Sequence, residues 1–168
     1  MKKLIIKNKM VTMRGSSFVL DEEGNKVFRV KGKFFTMTQK KRIYDMDGEL
    51  KYIVRNKFWH FLNSSCFILD DEKEKIAMLT NGLFDFKRRF VLKGYSDEIE
   101  ISGAVFQFPN LEMQIVKNGK VIGKIIRNLK DNFFRDCYVA EIEDETEEAF
   151  VVALVIAIDN IYDERRKN

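Results

Sequence analysis

The chain has 168 residues, 45% of them apolar and 33% charged, with a net charge of +4 and a pI near 9.0. That length suits one domain with a sizeable core, and the composition excludes a disordered or low-complexity chain. The basic excess is mild, whereas nucleic-acid binders concentrate a stronger footprint, so nucleic acid is disfavoured as a partner.

The N-terminal apolar run, Leu4–Ile6, stops after three residues. A secretory h-region needs about 7–15, so a cytoplasmic location is expected. One proline and nine glycines leave no linker between halves, and residues 1–168 read as a single domain. Cys66 and Cys137 are too few and too far apart for a disulfide framework or a zinc site.

Up to about residue 143 the pattern has period 2, the signature of strands. Phe18–Gly24 followed by Val30–Phe35 is repeated 24 residues on by Arg42–Gly48 and Val54–Trp59. Phe67–Glu72 with Ile76–Leu79 is a third copy, and Met113–Gly119 with Val121–Ile125 a fainter fourth. The unit is apolar run, Asp/Gly turn, apolar run, which is a β-hairpin. Gly24, Gly48 and Gly119 sit where a turn needs φ > 0. Further strands are expected at Lys75–Thr80, Arg88–Lys93, Glu98–Ser102, Leu111–Val116, Lys120–Arg127 and Cys137–Glu143, about a dozen in all.

The period then changes once. Asp144–Glu148 is an acidic, cap-like run, with Asp144 or Thr146 able to cap a helix. Ala149–Ile158 follows, ten apolar residues without a break. A membrane span needs about 20, so no transmembrane segment is expected. A buried strand is the competing reading, but a helix over about 146–161 that is apolar on all sides must be buried on all sides. A sheet curled around it supplies that burial and removes exposed edges. The expected fold is mainly β, a closed antiparallel barrel of roughly twelve strands (about 1–143) around a hydrophobic C-terminal helix.

The strand–DxxG–strand units, the phrase Gly32-Lys-Phe-Phe, Arg42–Gly48 and the closing Ala149–Asp159 together resemble the LURP-one-related proteins. These belong to the tubby C-terminal-like superfamily, to which phospholipid scramblases are also similar. The resemblance covers nearly the whole chain. It implies a twelve-stranded antiparallel barrel threaded by its C-terminal helix, and it implies no enzyme. Tubby proteins bind phosphoinositide headgroups through basic residues, but no such residue can be matched to a position here.

Residues two apart in a strand share a face. If Phe28, Val30 and Phe34 point inward, Arg29, Lys31 and Lys33 point out. On the matching strand Arg55 and Lys57 point out, opposite Tyr52, Val54 and Phe58. Pairing of the repeats brings these cations into one outward cluster suited to anionic lipid headgroups at a membrane surface. The bland alternative is a solvated face that maintains solubility. Lys87, Arg88 and Arg89, beside Phe84 and Phe86, form a second basic candidate whose bland reading is a turn between core aromatics.

Asp45–Glu49 has the look of a calcium loop, but Asn56 stands where a twelfth-position acid belongs, so it reads as a hairpin turn. His60 has no Cys or His partner nearby, and nothing orients a Cys66–His60 pair. No catalytic residue, metal or cofactor is expected. The expected function is a non-enzymatic binding module. The alternative is a structural or regulatory protein–protein adaptor without lipid binding.

Overall fold

In a computed structural model of the chain the described residues are 2–7, 16–32, 40–57, 65–81, 90–107, 110–128 and 137–165. They form twelve strands: β1 (Lys2–Lys7), β2 (Ser16–Asp21), β3 (Lys26–Gly32), β4 (Lys40–Tyr44), β5 (Leu50–Asn56), β6 (Ser65–Leu69), β7 (Lys75–Asn81), β8 (Phe90–Gly94), β9 (Ile99–Gln107), β10 (Asn110–Lys117), β11 (Lys120–Asn128) and β12 (Cys137–Ile142). A 3₁₀ turn, Glu145–Glu147, leads into helix α1 (Glu148–Arg165). The apolar run after Asp144 is therefore helical, as its need for all-round burial demanded, and not a strand.

The sheet is one antiparallel meander in the order β8-β7-β6-β5-β4-β3-β2-β1-β12-β11-β10-β9. Pairing of β1 with β12, in register from Lys2↔Ile142 to Lys7↔Cys137, ties the first strand to the last. The terminal strands β8 and β9 approach each other without a ladder among the described residues, so the barrel is nearly closed. Inside it α1 packs chiefly on β5 and β6, then on β12, β11, β7 and β4.

Alternation decides what faces the helix. Leu4, Ile6, Val19, Phe28, Val30, Ile43, Val54, Ile68, Leu79, Met113, Ile115, Ile125 and Tyr138 line the interior, and every residue from Phe150 to Ile158 is buried. A fully buried Val, Leu, Ile or Phe contributes about 1.5–3 kcal/mol relative to exposure, so helix and barrel stabilise each other. Gly123 of β11 lets the helix come close, because a Cβ there would lie 2.9 Å from the Glu141 carbonyl and 3.2 Å from Val151.

The three strong repeats share one turn. Gly24, Gly48 and Lys73 donate their N–H to the carbonyls of Asp21, Asp45 and Asp70 at 3.2, 3.3 and 3.2 Å. In each turn the Asp Oδ1 accepts the N–H of the residue four on, at 2.7 Å from Asn25 and 2.8 Å from Glu49 and Glu74. A β-bulge follows each of these turns, with Val27, Lys51 and Ile76 as the extra residue on the strand that leaves it. Gly24 and Gly48 adopt φ of 84° and 93°, and Lys73 holds φ of 72° in the third copy. The fourth copy turns through Asn118 (φ 51°) and Gly119 (φ 75°), a pair of positive-φ residues that matches the twist of flanking strands.

Asp144 caps the 3₁₀ turn by accepting the Thr146 N–H at 3.1 Å and its hydroxyl at 2.6 Å. The helix continues to Arg165, past the expected end near residue 161, since Tyr162–Arg165 contains no glycine or proline to stop it. Strand bounds agree with expectation to within a few residues. The widest shift is β9, which runs on to Gln107 where Ser102 was the expected end; β8 begins at Phe90 where Arg88 was expected, and Arg88 and Arg89 lie outside the described residues.

Two predictions follow from these turns and caps. Left-handed φ costs a non-glycine residue about 1–2 kcal/mol, partly offset by the greater unfolded-state freedom of glycine. Lys73→Gly should therefore raise the urea midpoint by up to about 1 kcal/mol of stability, while Gly48→Val should lower it.

The Asp144 carboxyl is held down to about 2, first by Lys120 and then by Thr146. Hydrogen bonds from Asn25 and from Lys51 lower Asp21 and Asp45 in the same sense. Depressed carboxyls stabilise above their unfolded value of about 3.9 and lose that effect as pH falls. Urea midpoints taken between about pH 4 and pH 2 should thus fall less steeply for Asp144→Asn than for the unaltered chain.

Candidate functional site

The strand registers place three of the eight expected cations, Arg29, Lys31 and Arg55, on one outer face, and they add two that alternation from the repeats did not single out. Val30 and Ile43 are partners on the inner side. Their neighbours Lys31 and Arg42 are therefore cross-strand partners on the outside. On the next pair Lys40 stands opposite Arg55, and Arg42 opposite Ile53. Arg29, also outward, faces Tyr44 on β4 and Phe18 on β2. Arg29 and Lys31 are exposed, Arg55 is half-buried, and Lys57 is exposed just beyond β5.

The repeats do not pair directly as expected. β4 lies between β3 and β5, and its own outward residues Lys40 and Arg42 bridge the two groups. The signal for them was the period-2 series Lys40, Arg42, Tyr44, which is masked in the sequence by the interposed Lys41 and Ile43. Lys33, Lys87, Arg88 and Arg89, with Phe84, Phe86 and His60, lie outside the described residues.

Like charges directly opposite one another destabilise a sheet. Two such pairs, Lys31/Arg42 and Lys40/Arg55, occupy three adjacent strands. Among the described residues no carboxylate lies within ion-pair distance of any of these four. Burial, then Arg42, Arg55 and Lys73, push the Lys40 amine below its ordinary value. Across the barrel the arrangement is reversed. Lys3 and Lys124 both face Glu141 across their strands, Lys3 lies 3.7 Å from it, and Lys124 pairs with Glu112 at 2.5 Å. Among the described residues the β3–β5 face thus carries cations with no carboxylate beside them, in contrast to the β1–β12–β11 face. Aromatic rings lie within it, and the Lys31 amine sits 4.9 Å from the Tyr44 ring centre.

A second polar cluster lies inside the barrel toward the C-terminal half of α1. Lys41, turned inward between Lys40 and Arg42, forms an ion pair with Asp159 at 3.6 Å, both more than nine-tenths buried. Asn160 donates to Asn56 Oδ1 at 3.1 Å, and the Cys66 thiol donates to the same oxygen at 3.3 Å. These groups attach an otherwise apolar helix to β4, β5 and β6. Cys66 is fully buried in this network, and Cys137 is half-buried on β12.

The Asp45 carboxylate accepts the Glu49 N–H of its own turn and pairs with Lys51 at 3.0 Å. Among the described residues no group of three or more His, Cys, Asp or Glu side chains could hold a metal ion. No helix among them is long and apolar enough to cross a membrane.

A twelve-stranded antiparallel barrel wound around its own C-terminal helix, with cations on one outer face, defines the class of scaffold. The chain belongs to the LURP-one-related family, whose model matches residues 2–159. An X-ray structure of a protein from Arabidopsis thaliana is similar in fold, with a TM-score of 0.61 at 15% identity over 96% of this chain and 91% of that one. No curated protein matches the sequence. The tubby-like barrel that the sequence resemblance implied is thus the fold of this chain.

The interior ion pair generates a prediction. Breaking a buried pair from one side costs about 3–5 kcal/mol, whereas replacing both partners by apolar groups is often neutral. Asp159→Ala should lower stability by about that amount in urea unfolding, and Lys41→Met/Asp159→Leu should recover most of it.

Proposed function

We infer that the protein is a non-catalytic binding module whose β3–β5 outer face docks on anionic phospholipid headgroups at a membrane surface, on the cytoplasmic leaflet where such lipids concentrate. The observation that supports this reading is the pair of like-charged cross-strand partners, Lys31/Arg42 and Lys40/Arg55. A face selected only for solubility would alternate its signs, as the β1–β12–β11 face does. Opposed cations cost stability in the free protein, and an anionic surface relieves that repulsion.

Arg29 and Lys57 extend the same face. Each Lys or Arg near an anionic leaflet is worth about 1 kcal/mol. Three or four engaged together give about 3–4 kcal/mol, which describes a reversible and salt-sensitive peripheral contact. The adaptor reading calls for a contiguous exposed apolar patch. Among the described residues the exposed large apolar side chains are Met46 on the β4–β5 turn and Val91 and Tyr95 on and beside β8, which do not make one surface.

Co-sedimentation with neutral and anionic vesicles tests the proposal. Binding is expected to anionic vesicles only and to weaken between low and physiological salt. Lys31→Glu/Arg55→Glu should reduce it by more than about tenfold. Equal, negligible binding to both vesicle types, or indifference to the double reversal, would sink it.

A further inference from the structure

The bulge just after the first repeat turn, where Val27 is the extra residue, alters the outer face. Strict alternation from Arg29 would turn Lys26 inward beside Phe28. The register shift between Val19 and Leu20 places Lys26 opposite Leu20 instead, and Lys26 emerges exposed on the same side as Arg29 and Lys31. The three cations converge on a recess of about 220 Å³, lined also by Phe18, Tyr44 and Asp45 and by Met46 and Gly48 of the β4–β5 turn. The Lys26 amine lies 4.3 Å from the centre of the Phe18 ring, and Lys31 lies 4.9 Å from that of Tyr44. The rings flank the cationic strand on either side and restrict where the two amines can go.

Asp45 is the acidic group in this lining, and its charge is already engaged. Its carboxylate accepts the Glu49 N–H at 2.8 Å and pairs with Lys51 at 3.0 Å. Phe18 and Tyr44, by contrast, leave the N–H donors of both lysines available, since a ring face takes the charge and not the hydrogens. Two ammonium groups and a five-donor guanidinium around one small recess match a compact group of two negative charges and three terminal oxygens. A phosphomonoester has that chemistry. A phosphodiester carries one charge and two terminal oxygens, and it serves the flat cationic face equally well without the recess.

We propose that the Lys26/Arg29/Lys31 recess is a phosphomonoester site, which selects a terminal phosphate over a phosphodiester. The proposal rests on the reading of the β3–β5 face as an anion-docking surface and adds selectivity to it. The shared chemistry is found in a lipid with a terminal phosphate, such as phosphatidic acid, and in a free phosphorylated small molecule. Because a phosphomonoester gains its second charge near pH 6, the selectivity should grow as pH rises through that value.

The test compares the full chain on vesicles containing phosphatidic acid or phosphatidylglycerol, matched in surface charge, with glycerol 3-phosphate and glycerophosphoglycerol as soluble probes. Phosphatidic acid should bind about tenfold tighter than phosphatidylglycerol near neutral pH, with the margin narrowing below pH 6. Lys26→Ala should bring phosphatidic acid down to the phosphatidylglycerol level, and Lys26→Arg should keep the preference. Equal binding of the two lipids, with no glycerol 3-phosphate binding, overturns the recess while leaving the docking face intact. Saturable binding of glycerol 3-phosphate without vesicle binding supports the recess, assigns it a free ligand and overturns membrane docking. Binding to none of the four probes overturns both.

Discussion

Everything in this molecule follows from one obligation, the burial of Ala149–Ile158. Ten consecutive apolar residues in helical form have no side that water tolerates. The barrel meets that need by giving the helix one residue in two from strand after strand. The helix in turn fills an interior that a twelve-stranded sheet cannot fill with its own side chains. Neither part has a stable alternative without the other, and the pairing of β1 with β12 puts the first strand and the last into the same closure.

An all-apolar helix in an apolar tube has little to set its depth or rotation. Polar contacts supply this at its two ends. Glu147 accepts from Lys117 at 2.7 Å, and Glu148 pairs with Lys2 at 2.8 Å. At the far end Asp159 and Asn160 meet Lys41 and Asn56. Between these anchors the packing is non-directional. Buried polar groups are a poor source of net stability but a good source of register, and these occupy the places where register would otherwise be lost.

With the interior committed to packing, the outer residues of each strand are free to differ, and they do. On β1, β12 and β11 opposite charges face each other. On β3, β4 and β5 cations face cations. The contrast arises on one fold, under one set of geometric rules, so the backbone alone does not account for it.

Much of this was legible beforehand. The hairpin unit with its Asp/Gly turn, the Asp144 cap and the inward set Phe28, Val30 and Val54 come from local chemistry, in which each residue is read against its immediate neighbours. The sequence by itself therefore determined the elements, their turns and the requirement that something enclose the helix. What it could not show was which strand lies beside which. That β4 separates β3 from β5 is a matter of long-range pairing, and so is the meeting of Lys31 with Arg42 and of Lys40 with Arg55. The bulge that turns Lys26 outward is a one-residue change of phase that a period-2 pattern does not record. Tertiary structure decided the site, because opposition of charges is a property of neighbouring strands and no single strand contains it.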